Sequence, residues 1–350
     1  MKKHGYLYEK VYDLANIELA HHNARKGKAH YKEVQRVDEN AEFYFMELQT
    51  MLKNKTYKNS KYKIMTRKTD SGKVREIYKL PYFPDRIIHH AIIQITEPFW
   101  FKSLIRDTYS SIKGRGIHDG VKRIKKALID KENTAYCLKM DVKKFYPSVD
   151  NEILKQIIRK KIKDKDLLWL LDEIIDSTKG IPIGNYLSQY FGNLYLSVID
   201  HFCKSKVKYY FRYCDDMVIF HRDKAVLHNL KDQIESHLTN DLNLKLKQNW
   251  QIFPVDKRGV DFLGYRFFHN YISLRKTIKN NLKSKCKKIK KNHTKMSTSG
   301  VVNSIMSYYG WFKYANCKNL QNTILDKEMC FIIKTKCNDV NIKNPLRKIA

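Results

Sequence analysis

The chain is short of acid. Against 68 lysines and arginines stand only 36 aspartates and glutamates, a formal net charge of +32. That deficit points to a polyanionic partner, with phosphate contacts supplying much of the affinity. A lysine-rich overall composition accounts for part of the excess but not for its runs. Long apolar runs are missing too: nowhere do about 18 apolar residues follow one another, so no stretch is suited to span a bilayer. Residues 1–10 lack the apolar core of a signal peptide, so none is expected to precede the fold. The seven cysteines form no C-x-x-C pair, which gives no sign of a zinc ribbon or a disulfide framework. We expect reduced thiols in a cytoplasmic protein. Internal repeats and low-complexity linkers are absent. What is present is length: 350 residues allow two or three packed subdomains.

Where acid is scarce, aspartates set among apolar residues stand out. Residues 209–221 read YYFRYCDDMVIFH. Aromatic and β-branched residues on both sides of a short polar break predict a hairpin, with strands over 209–213 and 217–221 and Asp215 and Asp216 at its turn. Two carboxylates at one tip repel each other unless a cation neutralises them, and paired Asp is a hard oxygen site suited to Mg²⁺. A bare DD in a loop is by default a solvated acidic turn. Here the apolar flanks and the basic chain give the pair a reason to exist.

A third carboxylate strengthens the reading. Residues 136–150 read YCLKMDVKKFYPSVD. An apolar strand over 136–142 carries Asp141 near its end, and Asp150 is placed to cap a helix from Asn151. Two-metal phosphoryl transfer needs carboxylates from separate strands converging on ions roughly 3.5–4 Å apart. Asp141, Asp215 and Asp216 would supply them.

A strand ending in Asp, an aromatic five residues on and a later Y-x-D-D hairpin together resemble the palm of a reverse transcriptase. Residues 180–200, GIPIGNYLSQYFGNLYLSVID, resemble the family's third palm motif, with Ser188-Gln189 where Ser-Pro is commoner. Residues 259–267, GVDFLGYRF, resemble its primer-grip hairpin, and residues 308–320, YYGWFKYANCKNL, the start of a thumb. The likeness covers roughly residues 36–320 in the expected motif order.

The resemblance implies an α+β fold, a polymerase right hand with fingers, palm and helical thumb. Residues 1–35 would be an N-terminal helical extension, 36–135 fingers with part of the palm, 136–275 palm and 276–350 thumb. The palm helices would lie on one face of an antiparallel sheet. The implied activity is RNA-directed DNA synthesis with two Mg²⁺ ions, Mn²⁺ being a substitute. Asp141, Asp215, Asp216 and the Val142 carbonyl would be ligands. The implied dNTP pocket holds Lys73 and Arg75 from a fingers hairpin over 62–80, then Tyr146, Ile183 and Gly184. Arg75 is the strongest phosphate contact, since its planar fork suits phosphate oxygens. Tyr146, five residues after Asp141, would stack under the sugar and block a 2′-hydroxyl, while Phe145 faces the core. Phe262, Leu263 and Gly264 would grip the primer. Lys247, after an alternating strand signature at Leu242, Leu244 and Leu246, is the candidate general acid for pyrophosphate.

Other features have ordinary alternatives. Asp85 before an apolar run is expected to cap a helix running towards Glu97, with His89 and His90 as packing and template-side residues. Residues 108–120 form a basic loop with Gly114 and Gly116 around Arg115, followed by a helix over 121–129. The lysine-dense stretch 276–295 is either a solvated helix or a duplex-backbone contact.

Expected partners are an RNA template, a DNA or RNA primer, cDNA and dNTPs, with an accessory protein or structured non-coding RNA by analogy and no membrane. Ile183 before Gly184, with Ser188-Gln189 after, resembles the enzymes of diversity-generating retroelements. Defence-associated enzymes of the abortive-infection type, or another retroelement, are the alternatives. A group II intron origin is less favoured, because no maturase or endonuclease extension follows. A catalytically idle RNA-binding protein on a polymerase scaffold is the alternative of another class.

Overall fold

The strand-forming residues gather into three sheets. The structure is a computed structural model and describes residues 3–68, 72 and 74–338. Strands β1 (Lys63–Lys68) and β2 (Val74–Lys79) make an antiparallel hairpin whose register sets Arg67 opposite Arg75. Strands β3 (Thr108–Tyr109), β4 (Tyr136–Asp141), β5 (Tyr209–Tyr213), β6 (Asp216–His221) and β7 (Gln251–Pro254) form a five-stranded sheet in the order β3-β5-β6-β4-β7. A third sheet, in the order β10-β9-β8, joins β8 (Val260–Phe262), β9 (Tyr265–Phe267) and β10 (Ile272–Leu274) by antiparallel pairing. With its helices this is the expected α+β class.

The strand sequences explain the layering. Tyr210, Phe211 and Arg212 are all buried, as are Met217, Val218, Ile219 and Phe220. A strand covered on one face alternates in burial, whereas unbroken burial means cover on both faces. Strands β5 and β6 are therefore covered on both faces. The helix Ser188–Lys206 packs against β5. Asp150 caps the helix Asn151–Arg159 as expected, accepting from the backbone N–H of Glu152 and Ile153. Asp164 does the same for Lys165–Ile175.

Three local expectations give way to tertiary packing. Asp85 is not a cap. It is fully buried and accepts from the Tyr57 hydroxyl at 2.8 Å and the Ser60 N–H at 3.0 Å, while the helix begins at Ile87 and runs to Lys102. The helix expected over 121–129 spans Ile117–Ala127 instead. Leu242, Leu244 and Leu246 are buried but form no strand; the segment pairs only through a Val142–Leu246 antiparallel bridge.

The chain packs as two units. One takes the described residues up to Gly116 with Leu138–Ile219 and Ala225–Gln251. The other takes Ile117–Cys137, Phe220–Lys224 and the described residues from Ile252 onward. In the second unit the basic helix Lys276–Asn292 and the helices Thr298–Phe312 and Lys327–Asn338 pack together. Among the described residues no helix is long and apolar enough to cross a membrane.

Candidate active site

The site is built where β4 ends and β5 turns into β6. Strand β4 delivers Asp141 at its last residue. The two-residue turn Cys214–Asp215 brings Asp215 beside it, and Asp216 begins β6. Cys214 has φ +53°, a left-handed conformation that costs a side-chain-bearing residue energy and persists only when its surroundings fix it. They do: Arg212 Nη1 donates to the Cys214 carbonyl at 2.7 Å, and Cys214 Sγ donates to Ser110 Oγ at 3.0 Å.

The carboxylates are in direct contact. Asp215 shares a hydrogen bond with Asp141, and burial together with that neighbour pushes its pKa up to about 7. Two lysines answer the charge. Lys247 Nζ pairs with Asp141 Oδ2, and Lys139 Nζ lies 3.2 Å from Asp216 Oδ2. The backbone fixes the first pairing, since the Lys247 N–H donates to the Asp141 carbonyl at 2.9 Å and the Lys143 N–H to the Lys245 carbonyl at 2.8 Å. The single bridge at Val142 thus sets the register of Lys247, which the sequence left open.

The donor set suits a hard divalent cation at the Asp141–Asp215 pair. These are carboxylate oxygens, and one carboxyl holds its proton near neutrality unless a cation replaces it. Among the described residues no three His, Cys, Asp or Glu side chains gather closely enough to hold a metal by themselves.

Tyr146 sits in the short helix Phe145–Ser148, with its carbonyl accepting from the Ile181 N–H at 2.8 Å. Phe145 is buried as expected and packs edge-on against Tyr146 at 5.2 Å. Gly192 gives both rings room: a Cβ there would lie 3.1 Å from Phe145 Cε1. The Tyr146 hydroxyl is hydrogen-bonded to Gln189 and Cys214. Sequence reasoning missed those partners, and the unusual Gln after Ser188 was the available signal.

Ile183 and Gly184 lie against the β1–β2 hairpin. The Tyr78 N–H donates to the Ile183 carbonyl at 2.7 Å. Gly184 has φ +118°, and a Cβ on it would stand 2.6 Å from the Tyr78 carbonyl oxygen, so only glycine fits. Arg75 is exposed on β2. Arg67 directly opposite was also missed; the hairpin register could have found it. Like charges facing across a ladder repel, and an anion relieves them. Lys73 lies outside the described residues. His89 and His90 are buried in their helix, and His90 stacks on Tyr186 at 3.8 Å, which bears out the packing role.

In the second unit Phe262 closes β8 and is buried, while Leu263 and Gly264 form the turn into β9 with φ +53° and +85°. Both central residues left-handed is the two-residue hairpin turn that matches strand twist. A Cβ on Gly264 would lie 2.4 Å from Trp311 Cζ3, so the turn and the helix Thr298–Phe312 are closely fitted.

Several known proteins are similar to parts of this chain. Over 243 residues the chain is 22% identical to protein YkfC of Escherichia coli strain K12, covering 56% of this chain and 64% of that protein. Over 103 residues it is 27% identical to nuclear intron maturase 1, mitochondrial, of Arabidopsis thaliana, covering 29% of this chain and 14% of that one. The chain thus spans less than two thirds of either curated relative. Among solved structures, apo telomerase from Candida tropicalis aligns at 12% identity and TM-score 0.48 over 84% of this chain and 68% of that one. Telomerase from Candida albicans, in complex with the TWJ fragment of telomeric RNA, aligns at 12% identity and TM-score 0.48 over 80% and 54%. The profile of the family described as reverse transcriptase (RNA-dependent DNA polymerase) matches residues 66–267, more than half of the sequence and the whole of the acidic site, so the chain belongs to the reverse transcriptase family.

Proposed function

We propose that this protein is an RNA-directed DNA polymerase that joins a primer 3′-hydroxyl to the α-phosphate of a dNTP, copying RNA into cDNA. The observation that carries the reading is the contact of Asp141 with Asp215 at the β4 end and the β5–β6 turn. Carboxylates are held together in this way where cations are to be bound. Two Mg²⁺ ions, when bound, neutralise charge on the transferring phosphate and activate the attacking oxygen. Asp141, Asp215, the Val142 carbonyl and Asp216 hold them. Lys247, fixed beside Asp141, is the general acid that gives a proton to pyrophosphate. Arg75, with Lys73 and Arg67, takes the triphosphate. Tyr146 closes the sugar side against a 2′-hydroxyl, Ile183 and Gly184 lie along the nascent base pair, and Phe262–Gly264 grips the primer.

In this reading the segment to residue 35 is a helical extension, 36–135 the fingers with part of the palm, 136–275 the palm and 276–350 the thumb. The net charge of +32 supports a nucleic-acid duplex as the working partner. An accessory protein or structured RNA is a further partner by analogy. Ile183 with Ser188-Gln189 favours the error-prone enzyme of a diversity-generating retroelement over a defence-associated one.

Primer extension on a defined RNA with Mg²⁺ and four dNTPs tests the activity. Extension by wild type and its loss in Asp215→Ala support the reading. RNA binding without extension in wild type would instead favour an idle RNA-binding protein on this scaffold.

A further inference from the structure

The Tyr146 hydroxyl lies within a chain of hydrogen bonds whose members come from four separate segments of one unit. Ser111 Oγ donates to Gln189 Oε1 at 3.5 Å. The Gln189 amide donates to the Tyr146 hydroxyl, which donates to Cys214 Sγ. Cys214 Sγ donates to Ser110 Oγ at 3.0 Å, and Ser110 is also hydrogen-bonded to the Tyr213 hydroxyl. The Tyr146 ring is half-buried, with Phe145 at its edge and Gly192 below it. Packing fixes the plane of such a ring less firmly than its position, and the hydroxyl contacts add the missing restraint.

We propose that Gln189, with Cys214 and Ser110 completing the strap, is a positioning residue that holds Tyr146 against displacement by a ribose 2′-hydroxyl. The inference rests on the reading of Tyr146 as the sugar gate. A ring tethered at its far end cannot swing aside without breaking hydrogen bonds, so a ribonucleotide meets a wall rather than a door. Gln189 is the second residue of the helix Ser188–Lys206. Its backbone is therefore set by the helix, and its side chain alone reaches the tyrosine. A proline at this position offers no donor.

Steady-state incorporation of a ribonucleotide and of its matching dNTP, on a defined RNA template with an annealed DNA primer and Mg²⁺, tests this through the ratio of the two kcat/KM values. Four single variants and one double variant are compared. Tyr146→Ala removes the gate, and Tyr146→Phe removes only the hydroxyl. Gln189→Leu removes the donor. Gln189→Met keeps the length and much the same helix propensity but offers the hydroxyl no comparable hydrogen bond. Expected is a rise in the ribose-to-deoxyribose ratio of about fivefold to tenfold in Tyr146→Phe, Gln189→Leu and Gln189→Met, the scale of one net hydrogen bond. The double variant Tyr146→Phe/Gln189→Leu should rise no further than Tyr146→Phe alone, because Tyr146→Phe already removes the bond that Gln189→Leu removes. Gln189→Met should do this with an unchanged melting temperature, which a merely structural role would not give. If Tyr146→Ala raises the ratio but both Gln189 variants leave it at the wild-type value, the strap is refuted and the gate stands. If Tyr146→Ala leaves the ratio unchanged, the gate itself fails and the strap with it.

Discussion

Arg212 and Asp200 form a fully buried, two-pronged ion pair, Nε to Oδ1 and Nη2 to Oδ2 both at 2.6 Å, and the same guanidinium holds the carbonyl of Cys214. The Tyr210 hydroxyl and Thr108 Oγ1 satisfy the remaining carboxylate positions at 2.7 and 3.0 Å. A charge sealed in a strand is costly alone and tolerable when paired and fully hydrogen-bonded. This pair connects the helix Ser188–Lys206 to the turn that presents Asp215.

Asp200→Ala leaves the buried guanidinium uncompensated, and the cost should be about 3–5 kcal/mol of stability. Urea unfolding followed by circular dichroism measures it. The double change Asp200→Leu/Arg212→Met should recover part of that stability, since apolar replacement of a buried pair is often neutral. It should not recover primer extension, because the Cys214 carbonyl still lacks its donor. Full recovery of both would make the pair a matter of stability alone.

The pKa of Asp215, raised to about 7 from a model-peptide value of 3.8, has a pH consequence with a definite sign. The folded state binds the proton more tightly than the unfolded chain, so the stabilisation is full below the unfolded value and is lost as pH rises through the folded one. Metal-free protein should therefore lose stability between about pH 4 and pH 7 through this group. Asp215→Asn should flatten that part of the profile, and Mg²⁺ should raise the melting temperature more at pH 8 than at pH 5. An equal Mg²⁺ effect at both pH values would show that the ion does not compete with this proton.

Gly184→Ala combines a steric and a conformational insult, with the new methyl 2.6 Å from the Tyr78 carbonyl and a backbone at φ +118°. Strain of this kind costs about 1–3 kcal/mol when the surroundings enforce the conformation. The loop can yield only by leaving β2. We expect dNTP kcat/KM to fall by at least about tenfold, as a small misplacement at a reacting site can cost more than that. Unchanged kinetics would separate this loop from the nucleotide.

Much of this was legible in the residues. The β5–β6 hairpin, the β4 strand and the Asp150 cap follow from local chemistry, because aromatic and β-branched runs and a capping aspartate act over a few residues. Arg212 was visible as a charge inside YYFRY, but its partner Asp200 lies on a helix whose face the chain order does not reveal. Asp85 fails as a cap for the same reason: Tyr57 and Ser60, distant in sequence, outcompete the local helix. Lys247 could be named but not placed, since its register depends on one bridge between Val142 and Leu246. Local signals survive folding, and competition among distant partners is read only in the fold.

In the proposed reading Ile183 bears on fidelity. Its carbonyl is held by the Tyr78 N–H, so the backbone position is fixed and the side chain is the variable. An aliphatic side chain can neither donate nor accept a hydrogen bond beside a nascent base pair. A pocket that discriminates by polar contacts rejects mismatches because they leave buried polar groups unpaired, and a pocket without such a contact loses that penalty. Sequencing of cDNA copied from a defined RNA should show frequent errors opposite template adenine for the wild type. Ile183→Gln should reduce them by several-fold while extension persists. Rare wild-type errors, or errors spread evenly over the four template bases, would remove the diversity-generating assignment and leave the polymerase reading intact.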